Sequence, residues 1–257
     1  MSTPNVFSKT RPGAHPDFYP AEAAGLRWLA EGGARTADVR SVDADHIELR
    51  RLHAAAPTVA AAREFGARLA GMHAAGAAAF GSPPPGFAGQ LFIGSRPMPS
   101  TPHDRWGEFY IAERVRPFLK IAVAVGNVSA DQRVDIDRAC ELVAAGAFDD
   151  AEPPARLHGD LWTGNVFWTT DGVVLIDPAA HGGHRETDLA MLSLFGCPLL
   201  EEILAGYEAS RPLREGWRER IPLHQLHPLA VHAAGYGPGY GRELQHAARQ
   251  TLLLEGS

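Results

Sequence analysis

The sequence predicts an α+β fold of two unequal lobes, a small mixed α/β opening followed by a large helical body with one hairpin set into it. Three observations predict it. Strand signals are confined to a few short runs, helical periodicity fills most of the remainder, and the two kinds of segment are segregated along the chain instead of alternating. Val6 to Thr10 reads as a short strand and His46 to Leu52 as another. Between them Pro20 to Glu31 has a proline suited to a first helical turn and stops at Gly32-Gly33. Thr58 to Ala75 places Ala62, Phe65, Leu69 and Met72 on one helical face. Gly81 to His103 is dense in Pro and Gly, and so long a loop inside a compact domain is either functional or poorly ordered. Asp104 to Gly126 reads as helix with a bend at Pro117, and Ser129-x-x-Gln132 is a capping box leading into Ile136, Cys140 and Val143. Val166 to Thr169 and Val173 to Ile176 flank Asp171-Gly172, a strong hairpin signal. Beyond Glu186 the chain reads as helices broken at Pro198, Pro212 and Gly235 to Gly241. The expected division is a nucleotide-side lobe over 1–53 and a helical lobe over 54–257.

Composition excludes several classes. The 257 residues are 45% hydrophobic and 21% charged with a formal net charge of −6, an ordinary globular balance. No clustered basic tract offers a footprint for nucleic acid or an anionic membrane. No apolar run approaches the ~18 residues of a membrane span, and the Met1-Ser-Thr-Pro-Asn opening lacks the features of a signal peptide, so the expectation is a cytoplasmic protein. Cys140 and Cys197 are too few for a disulfide framework and are expected as two buried small hydrophobes. Of 24 basic side chains only Lys9 and Lys120 are lysines, which marks Lys9 as a position where a compact ammonium is used in a chain that otherwise uses arginine.

The densest polar cluster is Arg156-Leu-His158-Gly159-Asp160-Leu161-Trp162-Thr-Gly164-Asn165, followed by the hairpin and Ile176-Asp177-Pro178. With Asp171 and Gly172 as the two turn residues, Phe167 faces Ile176 and Val166 faces Asp177, so Asn165 and Asp177 emerge side by side. An amide oxygen and a carboxylate together suit Mg²⁺, especially when substrate phosphates complete the octahedron. Asp160 faces the same space, where it either accepts a proton from a hydroxyl or orients it for attack on a phosphoryl group. The Asp-x4-Asn spacing with a later metal-binding Asp is the arrangement of a kinase catalytic loop. In the opening lobe Glu22, Leu26 and Leu29 share a helix face, and Glu22 either pairs with Lys9 or serves only the helix dipole while Lys9 is solvated. His224-x2-His227-x4-His232 lacks the nearby Cys or acid that would complete a zinc site.

Taken together, His158-Gly-Asp-Leu-Trp-Thr-Gly-Asn165, Ile176-Asp-Pro-Ala179 and Gly183-His-Arg-Glu-Thr-Asp-Leu-Ala190 resemble the fructosamine kinase (ketosamine-3-kinase) family, within the aminoglycoside-phosphotransferase-like branch of the protein-kinase-like fold. The resemblance extends through Phe7-Ser-Lys9-Thr, Ala21 to Trp28, Trp106 to Phe109, Arg114 to Pro117 and Trp217 to Pro222, into His232 and Gly239-Tyr-Gly241, nearly the whole chain. The shorter His-Gly-Asp and Ile-Asp pattern is shared with choline, homoserine and antibiotic kinases. The longer motifs are more specific.

The resemblance implies a two-lobed protein-kinase-like fold, ATP and Mg²⁺ as cofactors, Asp160 as catalytic base, Asn165 and Asp177 as Mg²⁺ ligands, and Lys9 paired with Glu22 at the ATP phosphates. It implies that Trp162 lines the sugar site, that Asp188 braces the catalytic loop, and that His158, His184 and Arg185 stand behind it, the last two near Asp177. The implied reaction moves the γ-phosphoryl of ATP to the 3-hydroxyl of a ketosamine, giving a labile product that releases the amine, hence protein deglycation. The implied partner is a glycated protein or a free ketosamine, with no nucleic acid and no membrane.

The sequence departs from the family pattern at three places. Where about two strands and a glycine-rich loop are expected before the Lys9 strand, only Met1 to Asn5 stands, so the small lobe is expected to be truncated. Glu48, Arg50 and Arg51 occupy the strand that leads to the adenine side, and His181 and Gly182 stand where aromatics are expected. Two rival expectations follow, a kinase of another small hydroxylated molecule of the aminoglycoside or choline kinase type, and a catalytically impaired ketosamine-binding remnant.

Overall fold

In the computed structural model, which describes residues 5–254, a three-stranded antiparallel sheet opens the chain. Most of the expected opening segment, residues 1–4, lies outside the described residues. The strands are β1 (Val6–Thr10), β2 (Val39–Val42) and β3 (His46–Arg50), in the order β1-β3-β2. Helix α1 (Phe18–Glu31) packs Tyr19, Ala23 and Leu26 against Ile47 and Leu49. It starts two residues earlier than expected, which leaves Pro20 in the first turn, where no backbone N–H is needed. Residues 35–37 then leave this layer and clamp onto the later hairpin: Ala37 N donates to Leu175 O, and Leu175 N to Arg35 O, each close to 2.9 Å.

The larger body holds α2 (Val59–Ala74), the hairpin β4 (Leu91–Ile93) and β5 (Arg96–Met98), α3 (Trp106–Phe109), α4 (Arg116–Ala124) and α5 (Ala130–Ala144). Short strand β6 (Ala155–Leu157) pairs with β9 (His181–Gly183), and β7 (Val166–Thr169) pairs with β8 (Gly172–Leu175). Helices α6 (Arg185–Leu194), α7 (Leu200–Ser210), α8 (Ile221–Ala233) and α9 (Pro238–Leu253) complete it. The expected loop from Gly81 to His103 thus contains a hairpin. The expected bend at Pro117 is a π-helical turn, Tyr110–Val115, placed just upstream, and Pro117 sits in the first turn of α4. The capping box at Ser129 and Gln132 forms as the sequence predicts.

Pro228 lies inside α8, so His224 O loses its ladder donor. The buried Tyr110 hydroxyl replaces it, donating to His224 O at 2.8 Å and accepting from His227 N at 3.0 Å. Helices α2 and α7 meet almost backbone to backbone at two glycines. A Cβ on Gly66 would lie 1.9 Å from Ile203 O, and one on Gly206 would lie 2.1 Å from Arg63 O. Neither helix can yield without opening the core shared by Leu69, Leu204 and Tyr207. Gly66→Ala is therefore expected to destabilise the fold by about 1–3 kcal/mol or more, read from the denaturant midpoint. An unchanged midpoint would show that the two helices can separate freely.

Candidate active site

The loop after β6 is shaped by a carboxylate on α6. Buried Asp188 accepts from His158 N at 2.7 Å, from Gly159 N at 3.0 Å and from His73 Nε2 at 3.1 Å. Burial alone would raise its pKa, but these hydrogen bonds outweigh burial and hold the carboxyl below its ordinary value. His158 is also fully buried: Nε2 donates to Ile176 O at 2.9 Å and Nδ1 accepts from Asp160 N at 3.3 Å, tying the loop to the strand that ends at Asp177. Gly159 has φ +79°, and a Cβ there would lie 2.2 Å from Ala179 O, so the loop can turn here only with glycine.

The hairpin register differs from the expected one by two residues. Val166 faces Leu175 and Thr169 faces Gly172, so the turn is Thr170-Asp171. The Thr169 hydroxyl makes the difference, donating to Gly172 O at 2.7 Å and accepting from Asp171 N at 3.2 Å. A shift by an even number preserves the faces. Asn165 and Asp177 still meet, with Asn165 Nδ2 donating to Asp160 O at 2.8 Å, to Asp160 Oδ2 at 3.2 Å and reaching Asp177 O at 3.5 Å. These bonds use the amide nitrogen and leave Oδ1 as a donor atom for a cation. Asp177 adopts φ 52°, a left-handed conformation that is strained for a residue other than glycine, and its side chain is half exposed.

Lys9 and Glu22 are paired, with Nζ to Oε1 at 2.7 Å, and Lys9 also forms an ion pair with Asp177 Oδ1. Burial works against the ammonium, but the Glu22 and Asp177 carboxylates outweigh it and raise the Lys9 pKa. Asp160, half-buried, is pushed up to about 7, first by burial, with Asp177 and Asp188 adding repulsion and the Asn165 hydrogen bond opposing both. Lys9, Glu22, Asp160, Trp162, Asn165 and Asp177 all line one cleft of about 520 Å³.

Two further spaces adjoin it. A mainly apolar slot of about 310 Å³ lies between Phe7 and Leu49 on one side and Phe167 and Ile176 on the other, with Lys9 and Asp177 in its wall. Arg50 and Arg51 also line this slot, and Arg51 stacks over the Phe7 ring at 5.8 Å. On the opposite side of Asp160 and Trp162, a space of about 320 Å³ is bounded by the β4–β5 turn and the end of α8.

Trp162 is 37% exposed and meets Phe195 edge-on at 6.3 Å. A Cβ on Gly164 would lie 2.3 Å from the six-membered ring of Trp162, so this glycine sets where the indole lies. Gly164→Ala is expected to displace the Trp162 ring, read as a change in the near-ultraviolet circular dichroism. An unchanged spectrum would show that the position of the indole does not depend on this glycine.

Other expectations need correction. His184 and Arg185, expected behind the catalytic loop near Asp177, make their hydrogen bonds elsewhere. His184 Nε2 meets Asp150 Oδ2 at 3.3 Å, and Arg185 donates to Glu152 Oε1 at 2.6 Å and Pro212 O at 2.9 Å, because both sit at the start of α6 facing the 150–152 segment. His224, His227 and His232 diverge, their Nδ1 atoms engaged with the Thr187 hydroxyl, Arg114 O and Pro228 O. His224 instead joins His184 and Glu186, with ligand atoms within 4.8 Å of one another, but Arg220 grips Glu186 at 2.9 and 2.7 Å and already supplies the compensating charge. Cys140 is buried whereas Cys197 is only half-buried.

Sequence reasoning missed the partnership of Arg114 and His181. Arg114 is fully buried, donating to Pro99 O at 2.6 Å and to His181 Nε2 at 3.2 Å, with burial pulling its pKa down to about 9. A histidine is needed at 181 to accept that bond, and at 182 a Cβ would lie 2.1 Å from Ala79 O, so an aromatic has no room. The β4–β5 turn, Gly94 and Ser95, was also missed, although Gly-Ser after the apolar triplet Leu91–Ile93 is a hairpin signal.

Among the described residues no helix is long and apolar enough to cross a membrane. The family model described as Fructosamine kinase matches residues 2–254. A relative from Enterococcus faecium named "Probable ketoamine kinase" is 29% identical over 243 residues, covering 93% of this chain and 84% of the relative. The crystal structure of a candidate fructosamine-3-kinase from Thermobifida fusca superposes with a TM-score of 0.89 at 43% identity, covering 96% of this chain and 85% of that one. A choline/ethanolamine kinase family protein from Mesorhizobium loti, at 16% identity and a TM-score of 0.60 over 100% of this chain and 84% of its own, shares the fold.

Proposed function

The chain belongs to the fructosamine kinase family, and from that premise we propose that it transfers the γ-phosphoryl group of ATP to the 3-hydroxyl of a ketosamine, a step toward deglycation of the amine. The observation that carries this reading is the convergence of Asp160, Asn165, Asp177 and Lys9 on one cleft beside Trp162.

The residues fit a hard divalent cation by the chemistry of the donor set: Asn165 has its amide oxygen to spare, and Asp177 offers a half-exposed carboxylate. Asn165 and Asp177 would hold Mg²⁺, which when bound neutralises charge on the phosphoryl oxygens. Lys9, oriented by Glu22, would take the nucleotide phosphates as a compact charge, and the apolar slot beside it suits an adenine ring. Asp160 would accept the proton of the attacking hydroxyl. Its pKa of about 7 is matched to that task, since a stronger acid would be a poor base and a weaker one would be protonated at neutral pH. Trp162 would give the sugar a flat apolar platform.

The test is transfer of labelled phosphate from ATP to a fructosyl-lysine or ribulosyl-lysine peptide, with choline and an aminoglycoside as competing acceptors. The expected result is transfer to the ketosamine that stops when the divalent cation is chelated and returns when Mg²⁺ is restored. Transfer to choline or the aminoglycoside in preference would replace this reading with that of a different small-molecule kinase. Ketosamine binding without transfer would make the chain a catalytically impaired binder.

A further inference from the structure

The acceptor side of the cleft has an asymmetry of charge that the phosphoryl-transfer residues do not use. The space beyond Asp160 and Trp162 runs between Ser95 and Arg96 on the hairpin and His232 and Tyr236 at the end of α8. Among the described residues that line it, Asp160 is the one acid and Arg96 the one permanent cation. Arg96 is held in place: it is the first residue of β5, paired with Ile93 and followed by Pro97, and its Nη2 donates to Ala234 O at 2.8 Å. A Cβ on Gly235 would lie 2.9 Å from that nitrogen, so the guanidinium rests against bare backbone. A guanidinium has five N–H donors. Among the described residues this one uses a single bond, so its other donors remain for something that enters the space.

His232 adds a second constraint. Its Nδ1 faces a carbonyl, Pro228 O at 2.8 Å, so the proton sits on Nδ1 and Nε2 is an acceptor. Burial lowers its pKa, which keeps the ring neutral beside Phe195, Tyr236 and Tyr240. A neutral acceptor ringed by aromatics suits an amine N–H, and a fixed fork of donors beyond it suits a carboxylate.

We propose that the acceptor taken here is a ketosamine whose amine bears a free carboxylate, as in a glycated amino acid, with Arg96 binding that carboxylate. The inference rests on the ketosamine kinase reading and narrows it from glycated amines in general to small anionic ones. A glycated lysine inside a protein has its α-carboxyl locked in a peptide bond and would leave the guanidinium unanswered.

The experiment compares Nα-fructosyl-glycine and free ε-fructosyl-lysine with their carboxamides, by KM and by calorimetric binding without nucleotide, in the parent chain, Arg96→Lys and Arg96→Gln. The parent is expected to prefer at least one acid over its amide by on the order of tenfold, as for a hydrogen bond to a charged group. That ratio falls toward one in Arg96→Gln and is intermediate in Arg96→Lys, which keeps the charge but not the fork. Because each acid is judged against its own amide in the same variant, a general loosening of the hairpin does not mimic the effect. Equal binding of acids and amides by the parent, or a preference that survives in Arg96→Gln, overturns the proposal. Preferential binding of the acids with no phosphate transfer sustains the Arg96 assignment and overturns the kinase reading instead.

Discussion

Asp160→Asn is expected to lower kcat for phosphoryl transfer by about 10²–10⁴-fold, the usual contribution of a positioned base, with nucleotide affinity little changed. Asparagine keeps the shape and can still accept from Asn165 Nδ2, which meets Asp160 Oδ2 at 3.2 Å, so the loop is retained while the proton acceptor is lost. The same residue sets the acid limb of the rate profile. A base must be ionised to act, and burial has raised the Asp160 carboxyl to about 7. For the free enzyme kcat/KM is therefore expected to fall as the pH drops below about 7, where an unperturbed carboxylate would give a fall only near ~4. A variant with kcat near that of the parent would remove Asp160 from the chemistry. A profile flat from neutral pH down to the ordinary carboxylate range would contradict its raised pKa.

The second large effect is on folding. Asp188→Ala is expected to cost about 3–5 kcal/mol, as for loss of one partner from a buried charged network. It leaves the N–H groups of His158 and Gly159 and the Nε2–H of His73 without an acceptor in a site that is 1% exposed. His73 is held neutral by burial, and its Nδ1 faces the Tyr207 hydroxyl at 2.9 Å, so it cannot turn to find another partner without breaking that bond. Asp188→Asn keeps one acceptor oxygen and is expected to fall between the two. Because the folded-state pKa is depressed, this stabilisation is complete above the ordinary carboxylate value and is lost as the pH falls through the lowered one. Urea unfolding of the three chains at neutral and acid pH reads both expectations. An alanine variant as stable as the parent at neutral pH would show that Asp188 does not brace the loop.

What could be read in advance was what local chemistry decides. The strand Val6–Thr10, the cap at Ser129 and the grouping of Asp160, Asn165 and Asp177 follow from short-range patterns whose consequences stay local. Glu22 on the apolar face of α1 required a cation, and Lys9 on the preceding strand is the one it finds. The hairpin register was misread because Asp171-Gly172 is a strong turn signal in isolation, whereas the Thr169 hydroxyl caps a turn one residue earlier. Strands β2, β6 and β9 have three or four residues each, too short for periodicity to declare them.

His184 and Arg185 were misplaced for a different reason. They adjoin the brace Asp188 in sequence, but His184 is the extended residue that caps α6 and Arg185 is the first residue of that helix, and both side chains reach acids of the 150–152 segment. The roles of Arg114 and Arg96 depend on carbonyls distant in sequence, Pro99 O and Ala234 O, and no spacing rule announces them.

The proposed activity is that the cleft around Asp160 directs phosphate to a ketosamine hydroxyl. The most direct test is to follow a ¹³C-labelled ketosamine by NMR while it is incubated with this chain, ATP and Mg²⁺. The expected result is a product phosphorylated on the 3-oxygen of the sugar, followed by release of the free amine as that product decays. Phosphate on any other oxygen with no amine released, or ATP consumed while the ketosamine is unchanged, would contradict it.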